Sequence, residues 1–487
     1  MQKHGIKRET VGMMILDAQG KVIASINADE AFLPASNQKL LTAFAGLELL
    51  GPDFEYETVL WSDRLPTDGV LESDLVVSGN GDPNISGRFY GGDPTAVFRE
   101  WAAVMRQAGL LRVKGDLLVD DFRFDHEFFN PTWKNDHQYQ YWYAAQVGAL
   151  NLNDNCLDIR FLPGGDGQPA ELKVAPETSY VRLTNKTVSD WHKRPVRVDL
   201  RRPLGTNNIE VRGKISRRLK KWSYASHVTI HDPGLYFGTV LREILVSEGI
   251  AVDGTVLRDR DRLPAGPGRT VYHRHRSPLS RDLPVILTRS QNMHSEALLK
   301  ALGASQGAVG SVQSGARVLE RVLMENGVPR EGLKIFDGSG YSRENRVCPR
   351  TLARLLHQAS RAPYFDLFRD SLAIAATSGT LKRRFGSTGL KGKLFAKTGY
   401  IQRVSTLSGY IAKSGAQGGG QARPAASTGD KKARARVAEA AGRAESGNGK
   451  SNDYWTFVIL INGFPKGGLA ATHRFQEDVA VEIFRRF

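Results

Sequence analysis

The sequence has little cysteine and no long apolar segment. Its 487 residues include only two cysteines, Cys156 and Cys348, which excludes a disulfide-rich scaffold and a zinc knuckle of paired cysteines. No cluster of histidine, cysteine and acidic residues has metal-ligand spacing, so we expect neither a metal nor another cofactor. The longest apolar run, 454–461, is far shorter than the ~18 residues that cross a bilayer. It predicts a buried strand.

The N-terminus also lacks the apolar core of a secretory signal peptide. Residues 1–8 are mostly polar, and a predicted strand begins near Val11. Read alone, this start indicates either a cytoplasmic protein or a sequence without its targeting segment.

Positive charge is in excess, with 67 lysines and arginines against 51 acidic residues. The segment 193–221 contains eleven of these cations and only two acids. Its prolines, glycine and weak alternation predict exposed strands and turns rather than a DNA-reading helix, so we expect no nucleic-acid partner. Two readings of this segment stay open, a solvated basic face and a site for an anionic polymer or membrane surface.

Secondary-structure patterns place the candidate catalytic residues. A hairpin over 11–26 precedes a helix over 38–50, which puts Ser36 at a helix N-terminus. Short strands separated by turn residues follow for about two hundred residues. Helical patterns return from residue 233, and strands return in the last hundred residues.

Ser36 and Lys39 form the only Ser-x-x-Lys sequence in the chain. Residues three apart share a helix face, so the hydroxyl and the amine are expected to meet. The helix N-terminus adds backbone N–H groups and partial positive charge where an oxyanion develops. Alone, the pair also fits a capping serine and a solvated lysine.

Two further motifs stand in the order that this chemistry uses. Ser290-Gln-Asn292 lies between apolar runs, as a loop joining helices does. Lys397-Thr-Gly399 lies at the start of a strand-like stretch, where glycine permits close approach of another chain or a ligand. Together with Ser36-x-x-Lys39 they make the set Ser-x-x-Lys, Ser-x-Asn and Lys-Thr-Gly.

With this motif set, the chain resembles the penicillin-binding proteins and serine β-lactamases. Within that superfamily it resembles the low-molecular-mass class C penicillin-binding proteins, which are D-alanyl-D-alanine carboxypeptidases and endopeptidases. That narrower resemblance depends on the long gap between Ser36 and Ser290 and on the blocks Ser78-Gly-Asn-Gly-Asp-Pro83, Asp337-Gly-Ser-Gly-Tyr-Ser-Arg343 and Ser378-Gly-Thr-Leu-Lys-Arg-Arg384.

The resemblance implies an α/β (α+β) fold. A transpeptidase-like domain, with an antiparallel sheet flanked by helices, would be formed by 1–55 and 275–487. Inserted β-rich domains would occupy 56–274, with 151–224 as a nested subdomain. The Gly- and Ala-rich segment 412–453 could not form a core and is expected to be a low-complexity insert.

The resemblance also implies a mechanism. Ser36 would attack the carbonyl of a D-Ala-D-Ala bond, and Lys39 would accept its proton. The pKa of Lys39 must then fall toward ~7, and burial together with the ammonium of Lys397 would lower it. Ser290 would relay the proton to the leaving amine, while Asn292 would hold Lys39 and the substrate amide. Across the superfamily the identity of the base is disputed.

Substrate-binding roles are implied for five more residues. Thr398 with Lys397 would bind the terminal carboxylate, Gly399 would let the substrate approach, and the oxyanion hole would be the N–H groups of Ser36 and Tyr400. Tyr400 departs from the small hydroxyl residue usual there. Arg343 and Asp120 would contact the stem-peptide side chain, with a structural ion pair as the alternative for each and Asp121 as an equal candidate for the acid.

The implied partners are peptidoglycan stem peptides, with β-lactams as inhibitors and at most peripheral membrane association. The implied site of action is extracytoplasmic, in the periplasm or cell wall, although the sequence shows no signal peptide. Two alternatives remain open. A serine β-lactamase or esterase uses the same constellation, and a silent wall-binding scaffold keeps the fold without the activity.

Overall fold

The structure, a computed structural model, describes residues 1–133, 138–194, 196–264, 268–413, 453–465 and 467–486. The first of two units comprises Met1–Phe54, Asn130–Lys134 and Pro278–Phe487, and the second comprises Glu55–Phe129 and Asn135–Ser277. The predicted insert at 412–453 lies, apart from its first two residues and its last, outside the described residues. The other predicted domain bounds, including the nested subdomain at 151–224, stay predictions.

One six-stranded sheet forms the centre of the first unit. With elements numbered in chain order, its strands are β1 (Val11–Leu16), β2 (Val22–Ile26), β17 (Ala373–Ile374), β18 (Leu394–Ile401), β19 (Val404–Ala412) and β20 (Tyr454–Asn462). The order is β17-β18-β19-β20-β1-β2, and every neighbouring pair is antiparallel. All residues of β1 and β19 are buried, so these strands are covered on both faces.

Seven helices of the first unit lie in its described part. They are α1 (Gln38–Leu49), α4 (Leu279–Leu287), α5 (Asn292–Ser305), α6 (Val312–Glu325), α7 (Pro349–Arg361), α8 (Phe365–Asp370) and α9 (Leu469–Arg486). Ten consecutive residues of α1, from Gln38 to Leu47, are buried, which makes it a central helix. The predicted antiparallel sheet flanked by helices is confirmed.

The second unit is rich in short strands, as predicted for the inserted part. Its elements are β3 (Glu55–Ser62), β4 (Val70–Leu71), β5 (Leu75–Gly79), α2 (Ala96–Gln107), β6 (Arg112–Val113), β7 (Leu117–Asp120), β8 (Cys156–Leu162), β9 (Glu171–Ala175), β10 (Arg182–Asp190), β11 (Val196–Arg201), β12 (Asn208–Ser216), β13 (Ser223–Thr229), α3 (Pro233–Ser247), β14 (Ala251–Val252), β15 (Val256–Leu257) and β16 (Thr270–Pro278).

These strands form a five-stranded sheet, β15-β7-β5-β3-β16, and three sheets of three strands, β14-β6-β4, β10-β12-β11 and β13-β8-β9. Aromatic side chains of α2 and α3 meet in the core of the unit, where Phe98 packs against Trp101 and Phe237. Such ring pairs add to the stabilisation that comes from apolar burial.

Both cysteines are buried free thiols. In the described residues, no helix is long and apolar enough to cross a membrane.

Candidate active site

Ser36 lies in a single turn of 3₁₀ helix, Ala35–Asn37, that continues directly into α1. Two glycines make room for this turn. A Cβ on Gly399 would lie 2.9 Å from the backbone nitrogen of Ser36, and one on Gly340 would clash with the carbonyl oxygen of Ala35. Ser36 is therefore held against β18 on one side and against the loop after Asp337 on another, at positions that tolerate no side chain.

The ammonium group of Lys39 connects three segments of the unit. Its Nζ lies 3.2 Å from Ser36 Oγ, and it donates to Asn292 Oδ1 at 2.6 Å and to the carbonyl oxygen of Ser339 at 2.7 Å. Lys39 has no exposed surface, yet all three donor positions of its ammonium have an acceptor. The predicted contact between Ser36 and Lys39 is present, and Asn292 accepts a hydrogen bond from the same lysine.

Burial lowers the pKa of Lys39 from 10.5 to about 7, against the nearby carboxylates of Asp337 and Glu296, which raise it. A lysine with this pKa supplies a neutral amine at neutral pH. Burial is the largest cause of this fall, and the share that the sequence hypothesis gave to Lys397 stays a prediction. Burial and the charge of Lys39 lower the pKa of Lys397 well below its ordinary value.

Ser290 and Lys397 form the second hydroxyl–amine pair of the site. Lys397 Nζ donates to Ser290 Oγ at 2.8 Å and to the carbonyl oxygen of Thr398 at 2.8 Å. Ser290 has a positive φ of 65° on the loop between α4 and α5, a conformation that costs free energy for a non-glycine residue. Lys397-Thr-Gly399 lies in the middle of β18, at the fourth to sixth of its eight residues, rather than at the start of a strand, which corrects the sequence expectation.

Thr398 and Tyr400 lie on the more exposed side of β18. Thr398 Oγ1 donates to Thr380 Oγ1 at 2.7 Å, so the two hydroxyls form a polar pair beside the Lys397 backbone. Thr380 lies in the block 378–384 that carries the family resemblance, but no role was predicted for it from the sequence. Tyr400 is 58 % exposed, so its ring does not fill the core.

Arg343 lies near the end of β18. Its side chain is exposed, and its Nη1 donates to the carbonyl oxygen of Gln402 at 3.1 Å. A backbone acceptor holds this guanidinium, and among the described residues Arg343 has no ion pair of the kind considered as the alternative.

Asp120 lies in the second unit, where it is half-buried and accepts a hydrogen bond from Ser78 Oγ at 2.7 Å. Its neighbour Asp121 is buried and paired with Arg258 at 2.6 Å. Burial raises the pKa of Asp121, but hydrogen bonds from His126 and Arg258 outweigh burial and lower the pKa overall. Asp121 thus forms a structural ion pair with Arg258, and Asp120 is the better candidate for contact with the substrate.

Two buried carboxylates near Lys39 were missed by sequence reasoning. Glu296 accepts from the backbone N–H groups of Gly338 at 3.0 Å and Ser339 at 2.8 Å. Asp337 accepts from Gly340 N at 2.7 Å and from three side-chain or backbone donors of the same unit, Trp133 Nε1, Ser342 N and Asn345 Nδ2. These hydrogen bonds fix the backbone around Ser339, whose carbonyl oxygen accepts a hydrogen bond from Lys39 Nζ.

Burial and the charge of Asp337 raise the pKa of Glu296 to about 8. Glu296 follows Asn292 by four residues on α5, so the two side chains share a helix face. That spacing is the one signal by which the sequence could have indicated Glu296 as a neighbour of Lys39.

Comparison with known proteins gives a consistent set of matches. Residues 1–463 match the family model described as "D-Ala-D-Ala carboxypeptidase 3 (S13) family". A D-alanyl-D-alanine carboxypeptidase of Actinomadura sp. (strain R39) is 32% identical over 396 residues, which cover 78% of this chain and 71% of that protein. The D-alanyl-D-alanine carboxypeptidase DacB of Haemophilus influenzae is 26% identical over 378 residues, covering 76% and 74%.

A solved structure matches over almost the whole chain. The crystal structure of penicillin binding protein 4 (dacB) from Haemophilus influenzae superposes with a TM-score of 0.75 at 22% identity and covers 97% of this chain and 96% of that one. The similarity extends to the fold of both units.

Proposed function

Because the chain belongs to the D-Ala-D-Ala carboxypeptidase 3 (S13) family, we propose that Ser36 is the nucleophile with which it cleaves D,D-peptide bonds of peptidoglycan stem peptides. The protein is a serine-type D-Ala-D-Ala carboxypeptidase, a hydrolase. The observation that carries the proposal is the hydrogen bond between Ser36 Oγ and Lys39, a buried lysine whose pKa is about 7.

In the acylation step, Ser36 Oγ bonds to the carbonyl carbon of the penultimate D-alanine while its proton passes to Lys39 Nζ. The C–N bond to the terminal D-alanine then breaks, and a proton relayed through Ser290 Oγ leaves with the amine. The N–H groups of Ser36 and Tyr400 stabilise the oxyanion. Water attacks the ester in the second step and returns Ser36 to its free form.

Substrate binding is assigned to groups around this centre. Lys397 and Thr398, with Thr380 beside them, bind the terminal carboxylate. Arg343 contacts the stem-peptide side chain, and the role of Asp120 stays a prediction from the resemblance. Supporting this assignment, the hydroxyl of Thr380 lies 2.7 Å from that of Thr398. Gly399 keeps the strand open beside Ser36.

The partners follow from the substrate. We infer that the enzyme acts outside the cytoplasm, in the periplasm or cell wall, where stem peptides are found. A β-lactam mimics the D-Ala-D-Ala bond and acylates Ser36 in its place, so β-lactams inhibit the enzyme.

Intact-protein mass spectrometry with benzylpenicillin tests the nucleophile. The wild type and the control Ser305→Ala, which changes an exposed serine at the end of α5, are expected to gain one penicilloyl mass. Ser36→Ala is expected to gain none. An adduct on Ser36→Ala would refute the assignment. An unmodified wild type with intact drug would favour a silent scaffold, and drug consumption without an adduct would favour a β-lactamase.

Release of D-alanine from a stem pentapeptide, measured beside cleavage of a cross-linked dimer, assigns carboxypeptidase or endopeptidase activity. Both reactions break the same kind of bond, so Ser36→Ala is expected to lose both.

A further inference from the structure

One end of the sheet β10-β12-β11, in the second unit, carries a dense cluster of cations. We call it the basic end and define it by eight residues, Lys193, Arg194, Arg197, Lys214, Arg217, Arg218, Lys220 and Lys221. Seven of them are exposed, and Arg217 is half-buried. These residues play no part in the catalytic proposal.

The strand pairing explains why these cations lie together. β10 and β12 are parallel, and β11 is antiparallel to β12. The end of β10, the start of β11 and the end of β12 therefore lie together at one end of the sheet. Two hydrogen bonds hold the loops there, from Arg217 N to the carbonyl oxygen of Asp190 at 2.9 Å and from Ser216 Oγ to that of His192 at 2.7 Å. The cations thus lie on hydrogen-bonded loops and strand ends at this end of the sheet.

Few carboxylates neutralise the basic end. Lys214 pairs with Asp190 at 2.6 Å, and Arg217 lies 3.5 Å from Asp166. In the part of the chain that the structure describes, the other six cations have no carboxylate partner. Arg194 and Arg197 line a depression at this surface together with Asp199 and with Arg212, which pairs with Glu210.

The basic end also exposes apolar surface. Trp191 is 60% exposed and Val188 is 41% exposed; Val188 lies near the end of β10, and Trp191 directly follows that strand. The guanidinium carbon of Arg217 lies 5.2 Å from the centre of the Trp191 ring, a cation–π contact that orients the indole. A large exposed ring among uncompensated cations calls for a partner with both negative charge and an apolar layer.

We propose that the basic end docks peripherally on an anionic lipid bilayer. Anionic headgroups attract clustered lysines and arginines close to the surface, and tryptophan favours the interface between headgroups and acyl chains. A water-soluble polyanion accounts for the cations but leaves Trp191 and Val188 in water. A bilayer accommodates the charges and the indole together.

Vesicle co-sedimentation with the full chain tests the docking. Binding is expected to vesicles of phosphatidylcholine with phosphatidylglycerol, to be weak on phosphatidylcholine alone, and to fall with rising salt because screening shortens the reach of the charges. Each lysine or arginine close to an anionic membrane contributes to the binding free energy. Removing two of them, in the double variant Lys220→Glu with Lys221→Glu, is expected to weaken vesicle binding at least about 30-fold. The control, Arg317→Glu with Arg330→Glu, reverses two exposed cations of the first unit and is expected to bind as the wild type does.

Trp191→Ala separates the bilayer from other polyanions. It is expected to weaken vesicle binding severalfold and to leave binding of inorganic polyphosphate unchanged. If vesicle binding falls equally in Lys220→Glu with Lys221→Glu and in the control Arg317→Glu with Arg330→Glu, the proposal is overturned, because net charge alone then explains binding. Polyphosphate binding as tight as vesicle binding, with no effect of Trp191→Ala on vesicles, would overturn it in favour of a soluble polyanion. Benzylpenicillin acylation, expected to be unchanged in every variant, is the control that the first unit is folded, and vesicle binding itself does not depend on Ser36.

Discussion

In the proposed mechanism, the protonation state of Lys39 sets the pH dependence of acylation. Lys39 accepts the proton of Ser36 only as a neutral amine, and its pKa is about 7. Relative to 10.5, this fall corresponds to about 5 kcal/mol in favour of the neutral form. The neutral fraction is then about half at pH 7, about 10% at pH 6 and about 1% at pH 5. The acylation rate constant is therefore expected to drop about tenfold per pH unit below 7 and to level off above 8.

Glu296 provides a matched variant for this profile. Its carboxylate lies near Lys39 and raises the lysine's pKa. Because burial and Asp337 raise the pKa of Glu296 to about 8, this side chain is mostly protonated near pH 7, and only its ionised fraction raises the pKa of Lys39. Glu296→Gln removes that fraction and keeps the size of the side chain, so the inflection is expected to move slightly to lower pH. The amide NH₂ cannot accept one of the two backbone N–H groups that the carboxylate holds, so the plateau rate is also expected to fall, by about tenfold for one lost buried hydrogen bond.

Quenched-flow mass spectrometry of the benzylpenicillin adduct from pH 5 to pH 9 measures both effects. A wild-type rate that stays level from pH 5 to pH 8 would refute a neutral Lys39 as the base, as would an inflection near the ordinary lysine value. An inflection that moves to higher pH in Glu296→Gln would refute the electrostatic coupling between the two side chains.

Three further outcomes are expected. Asn292→Ala removes a 2.6 Å acceptor of the Lys39 ammonium and should lower the acylation rate constant about tenfold to a hundredfold, a range set by one buried charged hydrogen bond; an unchanged rate would contradict the role of this contact. Asp121→Asn breaks a buried ion pair and should cost about 3 kcal/mol in urea unfolding, whereas Asp120→Asn should cost less than about 1 kcal/mol and reduce only stem-peptide turnover; equal losses of stability would be evidence against the distinction. Tyr400→Ser keeps the backbone N–H and should leave benzylpenicillin acylation within about threefold, while a hundredfold loss would place the ring itself in the reaction.

The catalytic motifs were predictable because each is local. Ser36 and Lys39 meet through helix spacing, and Asn292 follows Ser290 by two residues at the start of α5. The resemblance to a family then supplied their order and the expectation that they converge. The sheet with its flanking helices followed from the same source, and the structure confirms it.

Local patterns could not give the interactions that join distant segments. The bond between Thr398 and Thr380 joins residues from two different segments. Asp120 and Asp121 are equivalent by position, and only the pairing of Asp121 with Arg258, 137 residues away, distinguishes them. The position of Lys397 within β18 also depends on pairing with β19, which no local pattern in the motif shows.

The pKa of Lys39 is the clearest case of a property that no motif contains. Burial lowers it, while Asp337 and Glu296 raise it, and these residues come from three segments separated by more than forty positions. Without burial the lysine would stay charged and could not accept a proton. With burial but without the two acids, its pKa would fall further, and the amine would become a weaker base. The value near neutrality is a balance between desolvation and attraction, so in the proposed mechanism the two acids help to set the base strength of Lys39 although neither stands in a catalytic motif.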